Sequence, residues 1–271
     1  MSFIATTRGI LRLTAFATWS LLVVPPQLVV LVVTRGAPAY IIPQIWHRGV
    51  IRIFGLKLHI IGTPQRETQT IYVSNHISYL DIPVLGSVLS AAFVAKSEVA
   101  GWPVFGFLSR LQQTAFINRA RVDTAQSRDS LKARLNQGQS LILFPEATSS
   151  NGREVLHFRS SFFALAEGAQ RHFEGHGGED GGIYVQPLTV RVQDNRTRGG
   201  YTAIENYAWY GDMELPPHLW HFAKYGAADI ELIFHHPIAP QRHPDRKTLA
   251  NLCEQAIVKA FHADAARAQN V

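Results

Sequence analysis

The chain has 271 residues, 46% of them hydrophobic and 17% charged, with a net charge of +6 and a single cysteine, Cys253. That length and apolar content allow one large domain with a sizeable core, or two small ones. One cysteine excludes an intramolecular disulfide framework and fits a reducing compartment, and neither zinc-finger spacing nor an aromatic ribonucleoprotein motif supports a nucleic-acid partner.

The charge is unevenly placed. No acidic residue precedes Glu67, whereas Arg8, Arg12, Arg35, Arg48, Arg52, Lys57 and Arg66 all do. Basic residues mixed with long apolar runs point to an anionic membrane surface. Leu13 to Val33 is mostly apolar and long enough to cross a bilayer. Pro25-Pro26 interrupts it, so a kinked or re-entrant segment in one leaflet competes with a straight span. Ala37-Pro-Ala39 resembles a signal cleavage site, but the apolar run is too long for a usual signal core. Ala39 to Phe54 mixes Ile41, Ile42, Ile45, Trp46, Val50, Ile53 and Phe54 with His47, Arg48 and Arg52. This reads as an interfacial amphipathic helix or, equally, a core helix. Residues 1–54 are therefore expected to anchor the chain and 55–271 to form the working domain.

From Leu56 the pattern becomes α/β. Strands are predicted at Leu56–Ile60, Thr70–Val73, Ala92–Ala95, Thr114–Ile117, Leu141–Phe144, Tyr184–Val192 and Asp229–Phe234, the sixth interrupted by Pro187. Helices are predicted at Ile82–Leu89, Pro103–Leu111, Asp123–Leu135, Phe158–Glu167 and Thr248–Phe261. Glu174–Gly182 and Gln193–Tyr201 read as loops. His172 and His176 flank the first but lack a third ligand, so no metal site is expected. Alternating strands and helices predict a mixed, mainly parallel sheet flanked by helices.

The stretch Asn75-His76-Ile-Ser-Tyr-Leu-Asp81 follows the second of these strands. Residues five apart differ by about 140° on a helix, so His76 and Asp81 meet only if the chain turns between them. Pro83 suits a helix's first turn, giving strand, turn, then a helix opening near Asp81. Asp81 would then hold one ring nitrogen of His76, fixing the tautomer and raising the basicity of the other. That pair suits a general base acting on a hydroxyl. The plain alternative is a helix-capping Asp81 beside an exposed turn histidine.

A second motif, Phe144-Pro-Glu-Ala-Thr-Ser-Ser-Asn-Gly152, runs from an apolar strand into an oxygen-rich turn. Together with Asn75-His76-x4-Asp81 it resembles the lysophospholipid acyltransferase family, which is marked by an NHxxxxD motif and a following FPEGTRS-like motif. Ala115-Phe-Ile-Asn-Arg119, Val185-Gln-Pro187-Leu and Phe93-Val-Ala-Lys96 resemble further blocks of that family, in the family's order, over roughly residues 55 to 195. Two positions depart from it: Ala147 stands for the usual glycine and Ser149 for a frequent arginine. If position 147 needs a left-handed backbone, alanine costs about 1 kcal/mol. The Thr-Ser-Ser-Asn-Gly run and Trp209-Tyr-Gly-Asp-Met213 resemble a bacterial branch that includes lyso-ornithine lipid acyltransferases.

The resemblance implies a glycerolipid acyltransferase-like fold with a membrane-embedded amino-terminal helical segment. It implies acyl transfer from acyl carrier protein or coenzyme A thioester, used as cosubstrate with no cofactor, to the hydroxyl of 1-acyl-glycerol-3-phosphate. The alternatives are a lyso-ornithine lipid acceptor or a non-catalytic membrane-binding protein. His76 and Asp81 would be catalytic. Asn75, Lys96, Arg119, Glu146, Ala147 and Thr148 would bind substrate, with Arg121, Arg153 or Arg159 replacing the arginine missing at Ser149. The inner membrane, with the site on its cytoplasmic side, is the expected location. A hydrolase of the α/β type would need G-x-S-x-G, and a nucleotide enzyme a phosphate loop or G-x-G-x-x-G; the sequence has none of these.

Overall fold

A computed structural model describes residues 3–117, 125–168, 183–239 and 245–263. Its centre is a seven-stranded sheet of order β1-β9-β6-β2-β5-β3-β4. The strands are β1 (Leu56–Ile61), β2 (Thr70–Ser74), β3 (Ala92–Lys96), β4 (Ala115–Ile117), β5 (Leu141–Leu143), β6 (Tyr184–Gln193) and β9 (Ala228–Phe234). All neighbours are parallel except β6 and β9. The sheet is thus mixed and mainly parallel, as predicted.

Side chains alternate between two cores. Tyr72, Phe93, Ile142, Leu188 and Val190 face a cluster built with α2 (Ile41–Phe54), α3 (Asp81–Gly86) and α8 (Leu215–Tyr225). Ile71, Val73, Val94, Leu141, Leu143 and Val185 face the other, built with α5 (Ala125–Asn136), α6 (Ala164–Gly168) and α9 (Arg246–Phe261). A sheet covered on both faces needs strands apolar on both, which is why these read as continuous apolar runs. Cys253 is buried in the second core with Leu249 and Ile257. Each such large apolar side chain contributes roughly 1.5–3 kcal/mol by leaving water.

Two expectations are corrected here. β6 runs unbroken through Pro187. The β9 ladder begins one residue later, at Leu188↔Phe234, so the missing N–H falls at that ladder's edge. The segment expected as a loop at 193–201 carries a two-residue ribbon, β7 (Thr197–Arg198) and β8 (Tyr201–Thr202). The proline pair does not end α1 (Phe3–Val33), which contains both Pro25 and Pro26. A proline removes an N–H and crowds the carbonyl four residues earlier. Those carbonyls belong to Leu21 and Leu22, on the exposed side of the helix. The opposite side is held by Gln27, which donates to the carbonyls of Ala39 (3.1 Å) and Leu111 (2.7 Å).

α1 is long and apolar enough to cross a membrane, yet it lies along the domain. Arg12 donates to the Gly226 carbonyl (2.6 Å), and Trp19 Nε1 to the Trp46 carbonyl of α2 (3.0 Å). α2 ends at Gly55 (φ 73) and gives Val50 and Phe54 to the first core, so packing is continuous across residue 54. The Gly-rich segment 174–182 lies outside the described residues.

Candidate active site

His76 stands just past the carboxyl end of β2, and the chain is forced to turn there. Asn75 is buried and spends its whole amide on β6: Nδ2 donates to the Val190 carbonyl and Oδ1 accepts the Val190 N–H, both at 2.8 Å. Asn75 thus fastens the end of β2 to β6 beyond the Ser74↔Leu188 pair. The turn itself is clamped. His76 N–H donates to Glu146 Oε1 (3.3 Å), the His76 carbonyl accepts from Ser150 N–H (2.8 Å), and the Ile77 carbonyl accepts from Trp209 N–H (3.1 Å).

Asp81 opens α3 but does not cap it, for its carboxylate reaches back into the turn. Oδ2 accepts from His76 Nδ1 (2.8 Å), Ile77 N–H (2.7 Å) and Ser78 N–H (3.0 Å). Oδ1 accepts from the hydroxyl of Tyr207 (2.9 Å) in α7 (Ala203–Tyr207). Four donors converge on a fully buried carboxylate and fix its direction. With the Nδ1 proton on Asp81, Nε2 of His76 is left as the acceptor. The imidazole stacks on Phe144, centroids 4.1 Å apart and planes 23° apart. A ring face in that position supports a developing imidazolium. Burial, reinforced by the Asp81 charge, keeps the Tyr207 hydroxyl protonated and donating.

Glu146 is buried, and that burial pushes its carboxyl up to about 9 against the opposing pull of the His76 N–H. The group is therefore neutral near pH 7, with Oε2 enclosed and without a hydrogen-bond partner among the described residues. Ala147 lies at φ 62, the left-handed conformation for which the usual glycine is suited. Gly152, at φ 73, is constrained doubly: a Cβ there would lie 2.3 Å from Ile204 and 2.9 Å from Ile77.

A family model for "Acyltransferase" matches residues 56–191. The chain is 36% identical over 260 residues to the "Lyso-ornithine lipid O-acyltransferase" of Brucella abortus, covering 94% of each. The chain belongs to the acyltransferase family. It is also 30% identical over 219 residues to the "1-acyl-sn-glycerol-3-phosphate acyltransferase" of Neisseria meningitidis, covering 80% of this chain and 79% of that one. The fold matches that of the 1-acyl-sn-glycerophosphate acyltransferase PlsC from Thermotoga maritima, with a TM-score of 0.62 at 17% identity over 97% of this chain and 95% of that one. The molecule is thus an acyltransferase of the lysophospholipid type.

In this acyltransferase Lys96 is exposed at the end of β3, opposite Ile117 of β4. That end of the sheet is shared with His76, since β2, β5, β3 and β4 run parallel. Arg119 and Arg121 lie outside the described residues. Thr148 is exposed, whereas the Ser149 hydroxyl is bound to the Trp209 carbonyl. Arg153 pairs with Glu205 at 3.5 Å on the surface, and Arg159 is exposed. Tyr207 is the contributor that sequence reasoning missed, and Trp209 enters the sequence reading only as part of a motif; both lie beyond the family match. The signal for the first was present: Thr202-Ala-Ile-Glu205 forms a full capping box at the start of α7.

Beside the turn, Tyr79 and Leu80 enter the wall of an apolar cavity of about 160 Å³ between α1, α2, α3, α8 and α4 (Phe105–Leu111). Phe16, Trp46, Val50 and Leu219 also line it.

Proposed function

We propose that the protein transfers a fatty acyl group from a thioester of acyl carrier protein or coenzyme A to the free hydroxyl of a lyso-ornithine lipid, at a membrane surface. Nε2 of His76 takes the hydroxyl proton as the oxygen attacks the thioester carbonyl. The C–O bond forms, the C–S bond breaks, and the imidazolium returns its proton to the departing sulfur. No acyl-enzyme is needed in this reading, because the hydroxyl itself attacks the thioester once His76 takes its proton. The apolar cavity that begins at Tyr79 suits an acyl chain. Asn75, Glu146 and Ala147 act by holding the turn, while Lys96, Arg119 and Thr148 are left to meet the acceptor.

The observation that carries the acceptor is the full-length similarity to lyso-ornithine lipid acyltransferases. Ser149 agrees with it. At this position an arginine would serve a phosphomonoester, but the serine present is engaged with the Trp209 carbonyl. A phosphatidate-forming enzyme needs fixed cations for a dianion. A zwitterionic headgroup needs fewer. The preference first expected, for 1-acyl-glycerol-3-phosphate, thus gives way to the lyso-ornithine acceptor.

The test is transfer by the purified protein, and by Ser149→Arg, to each acceptor. Wild type should favour lyso-ornithine lipid, and Ser149→Arg should damage that reaction without creating strong use of 1-acyl-glycerol-3-phosphate. A wild type that prefers the phosphate acceptor, improved further by the arginine, overturns the assignment. By the same reading the exposed apolar side of α1 lies in the membrane interface, with the inner membrane's cytoplasmic face as the proposed location.

A further inference from the structure

We propose that a basic pocket at the far end of α1 binds the phosphate of an anionic phospholipid, apart from the catalytic site. The proposal rests on the reading that α1 lies against the membrane.

Arg35 follows α1, Arg110 ends α4 and Arg134 ends α5, and all three line one open cavity of about 470 Å³. Among the described residues the lining holds no carboxylate. Three guanidiniums from separate elements repel one another unless an anion joins them.

The pocket is built. Arg134 Nη1 donates to the Gln113 carbonyl (2.8 Å) and to Gln139 Oε1 (3.3 Å), and Arg110 Nη2 donates to the Ala100 carbonyl (2.9 Å). Gln113 sits at φ 58, left-handed for a non-glycine residue, and is buried. Its Oε1 accepts the Gly36 N–H at 2.9 Å and so ties the Arg35 turn to the pocket floor. The Arg35 guanidinium itself makes no hydrogen bond or ion pair among the described residues. Two arginines are thus fixed and the third is held within reach with its donors unused.

Position selects the ligand. Thr114, in the pocket wall, precedes β4, whereas His76 follows the carboxyl end of β2. The two strands run the same way, so the pocket and the catalytic turn are at opposite ends of the sheet. Exposed apolar side chains flank the arginines: Val32 and Val33 (87% and 82% exposed) before Arg35, and Phe107 one helical turn before Arg110. A free phosphate has no use for that rim. A phospholipid does: its chains stay in the bilayer while its phosphate meets the arginine forks.

The test is flotation of the full-length protein with vesicles of phosphatidylcholine, alone or mixed with phosphatidylglycerol, at fixed salt. Phosphatidylglycerol should tighten wild-type binding. Arg35→Lys keeps the charge but loses the fork, and should weaken the phosphatidylglycerol-dependent binding roughly fivefold. Arg52→Lys is the control, since Arg52 is exposed and among the described residues its side chain bonds only to the Arg48 carbonyl of its own helix; it should stay within about twofold. Equal losses in both variants, or none in either, overturn the site in favour of diffuse attraction. A second arm follows thermal unfolding in neutral detergent with inorganic phosphate. Protection of wild type but not of Arg35→Ala, without any response to phosphatidylglycerol, assigns the pocket to free phosphate and overturns the lipid. Failure of wild type to float with either vesicle overturns this proposal together with the membrane reading.

Discussion

At the scale of the residue, the site is an arrangement of donors around one carboxylate. Asp81 receives four, and only one comes from the base it serves. Removing the base, His76→Ala, should lower transfer by roughly 10²–10⁴-fold while leaving the fold intact; a variant with wild-type turnover contradicts the mechanism. Tyr207→Phe is the finer probe. It keeps the ring and loses the donor to Asp81 Oδ1, so the carboxylate that orients His76 is held less firmly. Turnover should fall roughly tenfold with KM unchanged. Unchanged turnover would show that the hydroxyl only packs.

Glu146 makes a separate prediction. Its carboxyl is raised from 4.5 to about 9 by burial, so the folded protein holds a proton there that the unfolded chain releases. Its favourable contribution is present below about 4.5 and is lost as pH rises through about 9. Glu146→Gln carries no such loss and can still accept the His76 N–H. Its thermal stability relative to wild type should therefore improve steadily across that window, whereas a constant offset would refute a neutral Glu146.

At the scale of the element, what could be read in advance depended on periodicity and end signals. The strands flanking the site and α9 were legible because they are apolar on one or both faces and bounded by turn residues. The strand–turn–helix around His76 was legible from the five-residue spacing and Pro83. α8 was missed although Glu214-Leu-Pro-Pro217 is a helix opening, with proline in the first turn. Without α7 and α8, neither Tyr207 nor Trp209 could be placed near Asp81. No local pattern reports a contact between residues 126 positions apart. The pairing of α1 with α2 was equally hidden, since it depends on close approach at Gly49, where a Cβ would lie 2.1 Å from Trp19 Nε1. Gly49→Val should force the helices apart and cost about 1–3 kcal/mol, read by thermal unfolding in detergent. Stability equal to wild type would mean that the two helices are not packed as described.

At the scale of the whole molecule, the apolar cavity lined by Tyr79 and Leu80 lies between the catalytic turn and the helix α1. α1 packs inward on α8, α2 and α4 and leaves Ile10, Leu11, Leu21, Leu22 and Val29 exposed along its outer side. A surface of that kind is expected to stay bound to vesicles when salt screens the basic residues, with only partial release. Complete release at high salt would mean that charge alone holds the protein there. On the proposed function the acceptor comes from the bilayer, and its headgroup distinguishes the two candidate reactions. The most direct measurement supplies lyso-ornithine lipid and 1-acyl-glycerol-3-phosphate together in the same vesicles, with a limiting labelled acyl thioester, and reads both products by mass. Ornithine lipid should dominate with the wild type, and neither product should form with His76→Ala. A predominance of phosphatidate, or ornithine lipid formed undiminished by His76→Ala, would contradict the account.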